Sequence, residues 1–222
     1  MKEETNITAQ TKQPEDKSNS GRVVSYVPFY DDGQIKVYNG NFESVLPQLN
    51  EKIDCIITDP PYPDYYVDEY KYYEGILNFL AAYDCRQLIF WSADCEFPLD
   101  YTARHIWNKN PSNKGAQYEF IYERNGGKRR CVYTYYMVNS TVAASMTYDV
   151  YTGHKSQKPI QLMNELVNEY SKENNLILEP FAGSGSTLLA AKKLGRRAIG
   201  IEINKKWCEV AAKRLDQFEL FR

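Results

Sequence analysis

The fold of this protein is decided by the stretch LILEPFAGSGST, residues 176–187. Its apolar start predicts a buried strand, which ends at Glu179 and Pro180 and leads into a glycine-rich loop. A helical pattern then runs from Ser186 to Leu194. A strand, a sharp loop and a helix in this order are typical of open α/β sheets, which bind ligands at the carboxyl ends of their strands. The stretch therefore predicts an α/β fold with a ligand site at this loop.

A second unit of the same kind lies far earlier in the chain. The apolar run 53–58 predicts another strand, which leads directly into Asp59-Pro60-Pro61-Tyr62. This loop offers a carboxylate, a stiff pair of prolines and an aromatic ring. Like the glycine-rich loop, it is expected where open α/β sheets place their ligand chemistry.

The remaining pattern alternates strands and helices. Further strands are predicted at 35–38, 88–91, 104–107, 118–122 and 198–203. Helices are predicted after Asn41, over 76–83, from Ser156 and from Lys205. This alternation predicts a mostly parallel sheet with helices on both faces. We expect residues 1–21, which are polar and lack aromatic side chains, to form a disordered tail before a single domain over 22–222.

The composition narrows the class of protein. The 222 residues are 43% hydrophobic and 25% charged, as in ordinary globular proteins, and no apolar run is long enough for a membrane span or a signal segment. Five cysteines without a C-x-x-C pair and only two histidines make a zinc site improbable. We therefore expect a cytoplasmic enzyme without a metal.

The overall charge does not indicate a nucleic-acid-binding protein, but one segment does. The formal net charge is −2, yet residues 104–130 contain seven basic and two acidic side chains, with aromatic residues among them. Lys128, Arg129 and Arg130 form the densest part of this segment. The segment fits either a solvated protein face or a contact with nucleic-acid phosphates.

The Asp59 loop suits catalysis on an amino group attached to an aromatic ring. The lone pair of such an amine is delocalised into the ring, so a catalyst needs hydrogen-bond acceptors aligned with its two hydrogens. Asp59 can supply one acceptor and the main-chain carbonyl of Pro60 the other. Pro61 restricts the backbone around that carbonyl. Tyr62 can stack on a flat aromatic substrate.

The glycine-rich loop suits a nucleotide-like ligand. Gly183 and Gly185 let the backbone approach a ligand closely, and Glu202 ends the next strand, where a carboxylate can bind ribose hydroxyls. These residues alone fit a dinucleotide equally well. A phosphate loop of the Walker type is disfavoured, because no lysine follows the glycines.

Together the two motifs resemble those of amino-group DNA methyltransferases of the permuted kind, in which the catalytic motif precedes the cofactor motif. The resemblance implies a Rossmann-like, S-adenosylmethionine-dependent methyltransferase fold. It implies cofactor contacts by Glu179, Phe181, Gly183, Gly185, Ser186, Thr187 and Glu202. The segment 154–159 is similar to the one that contacts the methionine end of the cofactor through Ser156, Gln157 and Lys158, although Lys155 stands where the family usually has proline. Asn41 stands where the family commonly has an aspartate that meets the adenine of the cofactor.

The resemblance also implies a division of the chain. Residues 35–125 form the catalytic half, 126–153 a variable target-recognition segment and 154–216 the cofactor-binding half. Segment 126–153 and the tyrosine-rich residues 63–74 are the expected readers of target bases. The sequence leaves open a homodimer, a restriction endonuclease partner and the recognition site.

The resemblance implies transfer of a methyl group to a DNA base flipped out of the duplex. Adenine N6 is favoured over cytosine N4, because the catalytic motif begins with Asp59 and the cytosine enzymes more often begin it with serine. An RNA or protein methyltransferase on the same fold is the main alternative. A non-catalytic nucleic-acid-binding module is a third reading, which the two intact motifs disfavour.

Overall fold

The structure is a computed structural model that describes residues 26–62, 70–109, 117–127, 129–141 and 149–219. Side chains are described for these residues except 70–72, 218 and 219. The predicted disordered tail, residues 1–21, lies outside the described residues, as do Lys128 and residues 63–69 of the tyrosine-rich segment. Among the helices of the described part, none has the length and apolar character needed to cross a membrane.

One sheet organises the described part of the chain. Its strands are β1 (Tyr30–Asp31), β2 (Ile35–Asn39), β3 (Cys55–Thr58), β4 (Arg86–Trp91), β5 (Ala103–Asn108), β6 (Tyr118–Arg124), β7 (Val132–Thr134), β8 (Leu176–Glu179) and β9 (Arg197–Glu202). The helices are α1 (Phe42–Val45), α2 (Tyr70–Ala82), α3 (Ile160–Tyr170), α4 (Ser186–Lys193) and α5 (Lys205–Glu219), and a 3₁₀ turn (Leu46–Gln48) follows α1.

The order of the strands across the sheet is β1-β2-β9-β8-β3-β4-β6-β5-β7. The five strands from β2 to β4 in this order are parallel to one another. Strand β1 is antiparallel to β2, and β6 is antiparallel to both β4 and β5. The predicted mostly parallel sheet is confirmed. Strands β1 and β7 were not predicted, and β7 lies in the segment 126–153 that showed no regular pattern.

Helices cover both faces of the sheet, as predicted. On one face, α3, α4 and α5 pack on alternate residues of the central strands, including Val37, Ile57 and Phe90. On the other face, α1 and α2 pack on the residues between them, such as Ile56 and Ile89. Successive side chains of a strand point to opposite faces, so the central strands are apolar on both sides and read as continuous apolar runs.

Pairing between β3 and β8 brings the two sequence motifs together. Ile56 of β3 lies opposite Leu178 of β8 in parallel register. Parallel neighbours end at the same edge of a sheet, so Asp59 and the glycine-rich loop emerge side by side. Strand β2 ends at this edge too, with Asn39 opposite Glu202 of β9.

The helix predicted from Ser156 begins later, at Ile160. Pro159 is its N-cap residue and Ser156 is exposed. The carboxylate of Asp149 accepts a hydrogen bond from the Ile160 amide, with Oδ2 at 3.1 Å. A side chain distant in sequence therefore satisfies one of the free amides of the first turn, which local sequence could not indicate.

A test of the packing of α4 on β9 uses Gly200. A Cβ atom at this position would lie 2.5 Å from Leu188 Cδ1 and 3.1 Å from Ala182 Cβ. We expect Gly200→Ala to lower the free energy of unfolding by about 1–3 kcal/mol through overpacking. Gly127→Ala is the matched control, because a Cβ at Gly127 meets nothing within 4 Å. Urea unfolding of both variants measures the difference, and equal stabilities would contradict the close packing.

Candidate functional site

A buried carboxylate joins the two loops at the edge of the sheet. Thr58, the last residue of β3, donates to Glu179 Oε1 at 2.8 Å. The Phe181 amide donates to the same oxygen at 3.1 Å, and Thr187 donates to Oε2 at 3.0 Å. Burial raises the pKa of Glu179 to about 8. Glu179 and Thr187 therefore hold the glycine-rich loop against the strand that carries Asp59.

The first glycine of the loop lies in a tight space. Gly183 has a φ of +50°, and a Cβ atom there would lie 3.2 Å from the ring of His154. Its amide donates to Glu202 Oε2 at 2.8 Å. His154 Nδ1 is buried without a hydrogen-bond partner, and burial lowers the pKa of His154. The backbone conformation and the close ring both require glycine here.

The second glycine allows α5 to approach the loop. Gly185 has a φ of +79°, and a Cβ atom there would lie 2.8 Å from Ala211 Cβ. From the same helix, buried Arg214 donates to the Ser184 carbonyl at 2.8 Å and to Ser186 Oγ at 3.2 Å. Its other terminal nitrogen pairs with Asp149 Oδ1 at 3.1 Å. Arg214 thereby ties the glycine-rich loop to the segment before α3.

Both carboxylate oxygens of Asp59 accept hydrogen bonds within the protein. The Tyr62 hydroxyl donates to Oδ1 at 2.5 Å, and the ammonium of Lys158 donates to Oδ2. Burial, and then the negative charge of Asp59, raise the pKa of Tyr62 well above its ordinary value. The Tyr62 ring packs 5.8 Å from the ring of Trp91, measured between centroids. The hydroxyl of Tyr62 is therefore a neutral donor to Asp59.

Lys158 lies between two carboxylates. Its ammonium also pairs with Glu119 Oε2 at 3.5 Å, and Lys109 pairs with the other oxygen of Glu119. Burial alone would lower the pKa of Lys158, but the charges of Asp59 and Glu119 outweigh it and raise that pKa. Although Glu119 is buried too, the charges of Lys158 and Lys109 lower its pKa. The cluster therefore pairs the two ammonium groups of Lys158 and Lys109 with the two carboxylates of Asp59 and Glu119.

The structure assigns other partners to several predicted cofactor residues. Gln157 is buried and uses its amide within segment 149–157, where Oε1 accepts from the Thr152 amide at 2.9 Å and Nε2 donates to the Val150 carbonyl at 2.8 Å. Asn41 Oδ1 caps α1 by accepting from the Glu43 amide at 3.0 Å. Ser156 is exposed, and Phe181 is half-buried with its ring 5.1 Å from that of Phe42.

Two of the three basic residues predicted to contact DNA, Arg129 and Arg130, lie in the described part of the chain and away from Asp59. The Arg129 side chain is 79% exposed, and its guanidinium lies 3.9 Å from Glu169 Oε1. Glu169 is near the end of α3, whereas Lys158, which contacts Asp59, lies just before its start. The helix between them is about 14 Å long. Arg130 is exposed and lines a cleft with Tyr101 and Arg104 on the outer strands.

Glu119, His154 and Arg214 are among the residues of this site that were not singled out from the sequence. Glu119 was counted only as a negative charge within the basic segment, and His154 and Arg214 were given no role. A signal existed for Glu119: it shares a face of β6 with buried Ile121, and a charged residue on the core face of a strand needs a partner. Nothing local indicated Arg214, because its partners come from distant segments.

In the described ranges of the chain, no group of three or more histidine, cysteine, aspartate or glutamate side chains could hold a metal ion. All five cysteines lie in the described ranges and form no disulfide.

Comparison with known proteins gives consistent matches. The chain is 36% identical over 105 residues to the type II methyltransferase M2.DpnII of Streptococcus pneumoniae, a match that covers 42% of this chain and 39% of that protein. The matched part thus spans about two fifths of that curated relative.

Two solved structures are similar over most of the chain. The M1.HpyAVI–SAM complex has a TM-score of 0.59 and 25% identity, and the match covers 82% of this chain and 99% of that one. The cytosine-N4-specific PvuII DNA methyltransferase has a TM-score of 0.62 over 84% of this chain and 88% of that one, but at 15% identity it supports the fold alone.

The family model N6_N4_Mtase, described as DNA methylase, matches residues 83–213. Because this match spans more than half of the chain and includes the glycine-rich loop, Glu119 and Lys158, the protein belongs to the N6_N4_Mtase family of DNA methylases.

Proposed function

We propose that this protein transfers a methyl group from S-adenosylmethionine to an exocyclic amino group of a DNA base, with adenine N6 as the target. The observation that carries the proposal is the position of Asp59 directly beside the glycine-rich loop, with Thr58 and Glu179 joined by a hydrogen bond of 2.8 Å. A carboxylate acceptor and a nucleotide-binding loop thereby share one edge of the sheet.

The residues present fit the cofactor. Gly183 has no side chain that would press on the ring of His154, and His154 Nδ1 is buried without a partner. Glu202 presents a partly exposed carboxylate at the end of the next strand. In the proposal, the backbone at Gly183 and Gly185, the ring of Phe181 and the carboxylate of Glu202 hold the cofactor. Ser156 and Asn41 also remain proposed contacts. Glu179, Ser186 and Thr187 support the loop from behind, and Gln157 stabilises segment 149–157. When bound, the cofactor supplies an electrophilic methyl group on a sulfonium.

The chain's own part in the reaction is to prepare the amine. Asp59 Oδ1 and the Pro60 carbonyl accept hydrogen bonds from the two amino hydrogens and favour a more tetrahedral nitrogen. The nitrogen lone pair is then available for direct attack, so no covalent bond to the enzyme forms. Pro60 and Pro61 stiffen the backbone, so the carbonyl is oriented before the substrate arrives.

Tyr62 is proposed to stack on the target base. Its hydroxyl currently bonds to Asp59 Oδ1, which is the oxygen the amine needs, so the base has to displace this contact as it enters from the duplex. The cost of unstacking a base is a few kcal/mol, and an aromatic platform recovers part of it.

The proposed DNA path runs from Asp59 along α3 to the basic segment. DNA carries a phosphate about every 3.4 Å along each strand, so about four nucleotides span the length of α3. Lys128, Arg129 and Arg130 would contact phosphates there, while residues 63–74 and 126–153 would read bases.

Residues 35–125 and 154–216 are the proposed catalytic and cofactor halves. A DNA substrate agrees with the expected cytoplasmic location; a homodimer and a restriction endonuclease partner are further proposals.

The target base decides between the adenine and cytosine forms of the proposal. DNA from a methylation-free host that expresses the protein should contain N6-methyladenine, detected by mass spectrometry of its nucleosides and by direct sequencing of modified bases. N4-methylcytosine alone would correct the target, and methylated RNA or protein without methylated DNA would refute the substrate.

Asp59 is the first residue to test. Asp59→Ala removes the acceptor for the amino hydrogens, so we expect the rate of methyl transfer to fall at least about 10²-fold. S-adenosylmethionine affinity, measured by titration calorimetry, should stay near that of the wild type. Turnover close to the wild-type rate would refute the proposed role of the carboxylate.

Gly183 tests the cofactor loop. Gly183→Val places a branched side chain against His154 and strains the backbone, so S-adenosylmethionine binding should be lost. Gly153→Val is the matched control: Gly153 also has a positive φ, +86°, but a Cβ atom there meets nothing within 4 Å. Calorimetry on both folded variants is the measurement. Unchanged affinity in Gly183→Val would mean that the cofactor binds elsewhere.

The basic segment gives a prediction for DNA binding. Neutralising Lys128, Arg129 and Arg130 together should weaken binding and reduce the log–log salt slope by about 2.7, since each phosphate contact contributes about 0.9. Neutralising the exposed Lys52, Lys172 and Lys213 is the control, which should leave the slope unchanged. If the first triple variant behaves like this control, the segment is only a solvated face.

A further inference from the structure

The ammonium of Lys158 is directed at the catalytic carboxylate and not at the cofactor loop. It donates to Asp59 Oδ2 and pairs with Glu119 Oε2 at 3.5 Å. Two aromatic rings close the remaining sides, with Nζ 4.8 Å from the centroid of Phe90 and 5.6 Å from that of Trp107. The side chain is 10% exposed. Its position is thus determined by oppositely charged groups on two different strands.

We propose that Lys158 and Glu119 are positioning residues for Asp59 in the methyl-transfer reaction proposed above. Lys158 fixes Oδ2, which leaves Oδ1 as the oxygen that accepts from the substrate amine once Tyr62 has moved. The inference rests on the proposed function, and it assigns to Lys158 a role different from the cofactor contact that the sequence predicts.

Glu119 has a definite task in this arrangement. Without Glu119, the Lys158 ammonium would be neutralised by Asp59 alone, which would weaken Asp59 as an acceptor for the amine. Glu119 shares the positive charge and is itself balanced by Lys109. A buried charge without such a partner is strongly unfavourable. The paired groups therefore hold Asp59 in one orientation and leave Oδ1 able to accept.

Tyr62 and Lys158 differ in how firmly they hold Asp59. Lys158 bridges β3 and β6, because its two carboxylate partners lie at the end of one and within the other. Tyr62 follows Asp59 in the same loop, and its hydroxyl is an uncharged donor. Lys158 forms ion pairs with two carboxylates, whereas the Tyr62 hydroxyl carries no charge of its own. The incoming base is therefore expected to displace Tyr62 and leave Lys158 in place.

Lys158→Met is the first variant in the test, because methionine keeps the length of the side chain and removes the charge. We expect kcat for DNA methylation to fall at least about tenfold, the loss for one hydrogen bond to a charged group. S-adenosylmethionine affinity should stay within about twofold of the wild type. Lys158→Arg, which keeps the charge, should recover part of kcat. Lys155→Met, at an exposed lysine in the same segment, should change neither quantity.

The role of Glu119 is tested by a double-mutant cycle. Glu119→Gln should lower kcat in the wild-type background and cause no further loss in Lys158→Met, because it acts through Lys158. An equal loss in both backgrounds would overturn the proposed role of Glu119. A large loss of S-adenosylmethionine affinity in Lys158→Met with unchanged kcat would overturn the role of Lys158 and make it a cofactor ligand.

Two further measurements keep the inference separate from the proposed function. The losses in free energy of unfolding caused by Asp59→Asn and by Lys158→Met should not add in the double variant, which should be no less stable than Lys158→Met alone. Losses that add would refute the ion pair. If Lys158→Met does not fold, Glu119→Gln alone tests whether the Lys158–Glu119 pair positions Asp59. The expected result is a lower kcat with unchanged S-adenosylmethionine affinity, and an unchanged kcat would overturn the inference. If the wild-type protein methylates no DNA, the proposed function and the catalytic part of this inference both fail, and the unfolding cycle still judges the ion pair.

Discussion

The site depends on one buried contact, the hydrogen bond between Thr58 and Glu179. Each residue ends a strand at the centre of the sheet, and each stands immediately before a functional loop. The contact fixes the Asp59 loop and the glycine-rich loop relative to each other at the level of the two strand ends. Burial raises the pKa of Glu179 to about 8, so a carboxyl group can remain in the core without the cost of an isolated charge. This buried contact thus holds Asp59, the proposed acceptor, close to the loop proposed to bind the cofactor.

Charge balance is the second constraint on the site. The cluster of Asp59, Lys158, Glu119 and Lys109 lies in a partly buried place and pairs two carboxylates with two ammonium groups. Removing one member would leave another with an uncompensated charge, which is why the four are expected to act as a unit.

A second ion pair connects this cluster to the glycine-rich loop. Arg214 binds the loop at Ser184 and Ser186, and it pairs with Asp149. Asp149 in turn binds the first amide of α3, two residues after Lys158. Arg214 and Asp149 therefore link the segment that carries Lys158 to the loop proposed to hold the cofactor. In the proposal, neither residue contacts the cofactor or the DNA base.

The sequence by itself determined the fold class, most of the strands and helices, and the two motifs at the sheet edge. These follow from local patterns: apolar runs of strand length, glycines at a sharp loop and apolar residues at helical spacing. The same local reasoning placed the start of α3 at Ser156, because a serine before an apolar helical pattern usually caps it. The structure moves that start to Ile160, where Asp149 supplies the acceptor from elsewhere in the chain.

Only the tertiary structure decided which polar side chains share a space. The sequence assigned Lys158 to the cofactor and regarded Glu119 as part of a charged surface, yet the fold brings both to Asp59 from separate strands and segments. It also places Arg129 beside the far end of α3, where its guanidinium lies 3.9 Å from Glu169. The spacing of apolar residues indicates which face of a strand or helix is buried. The partner of a buried charge depends instead on the order of the strands in the sheet. Here that order is set by crossovers that no local pattern encodes.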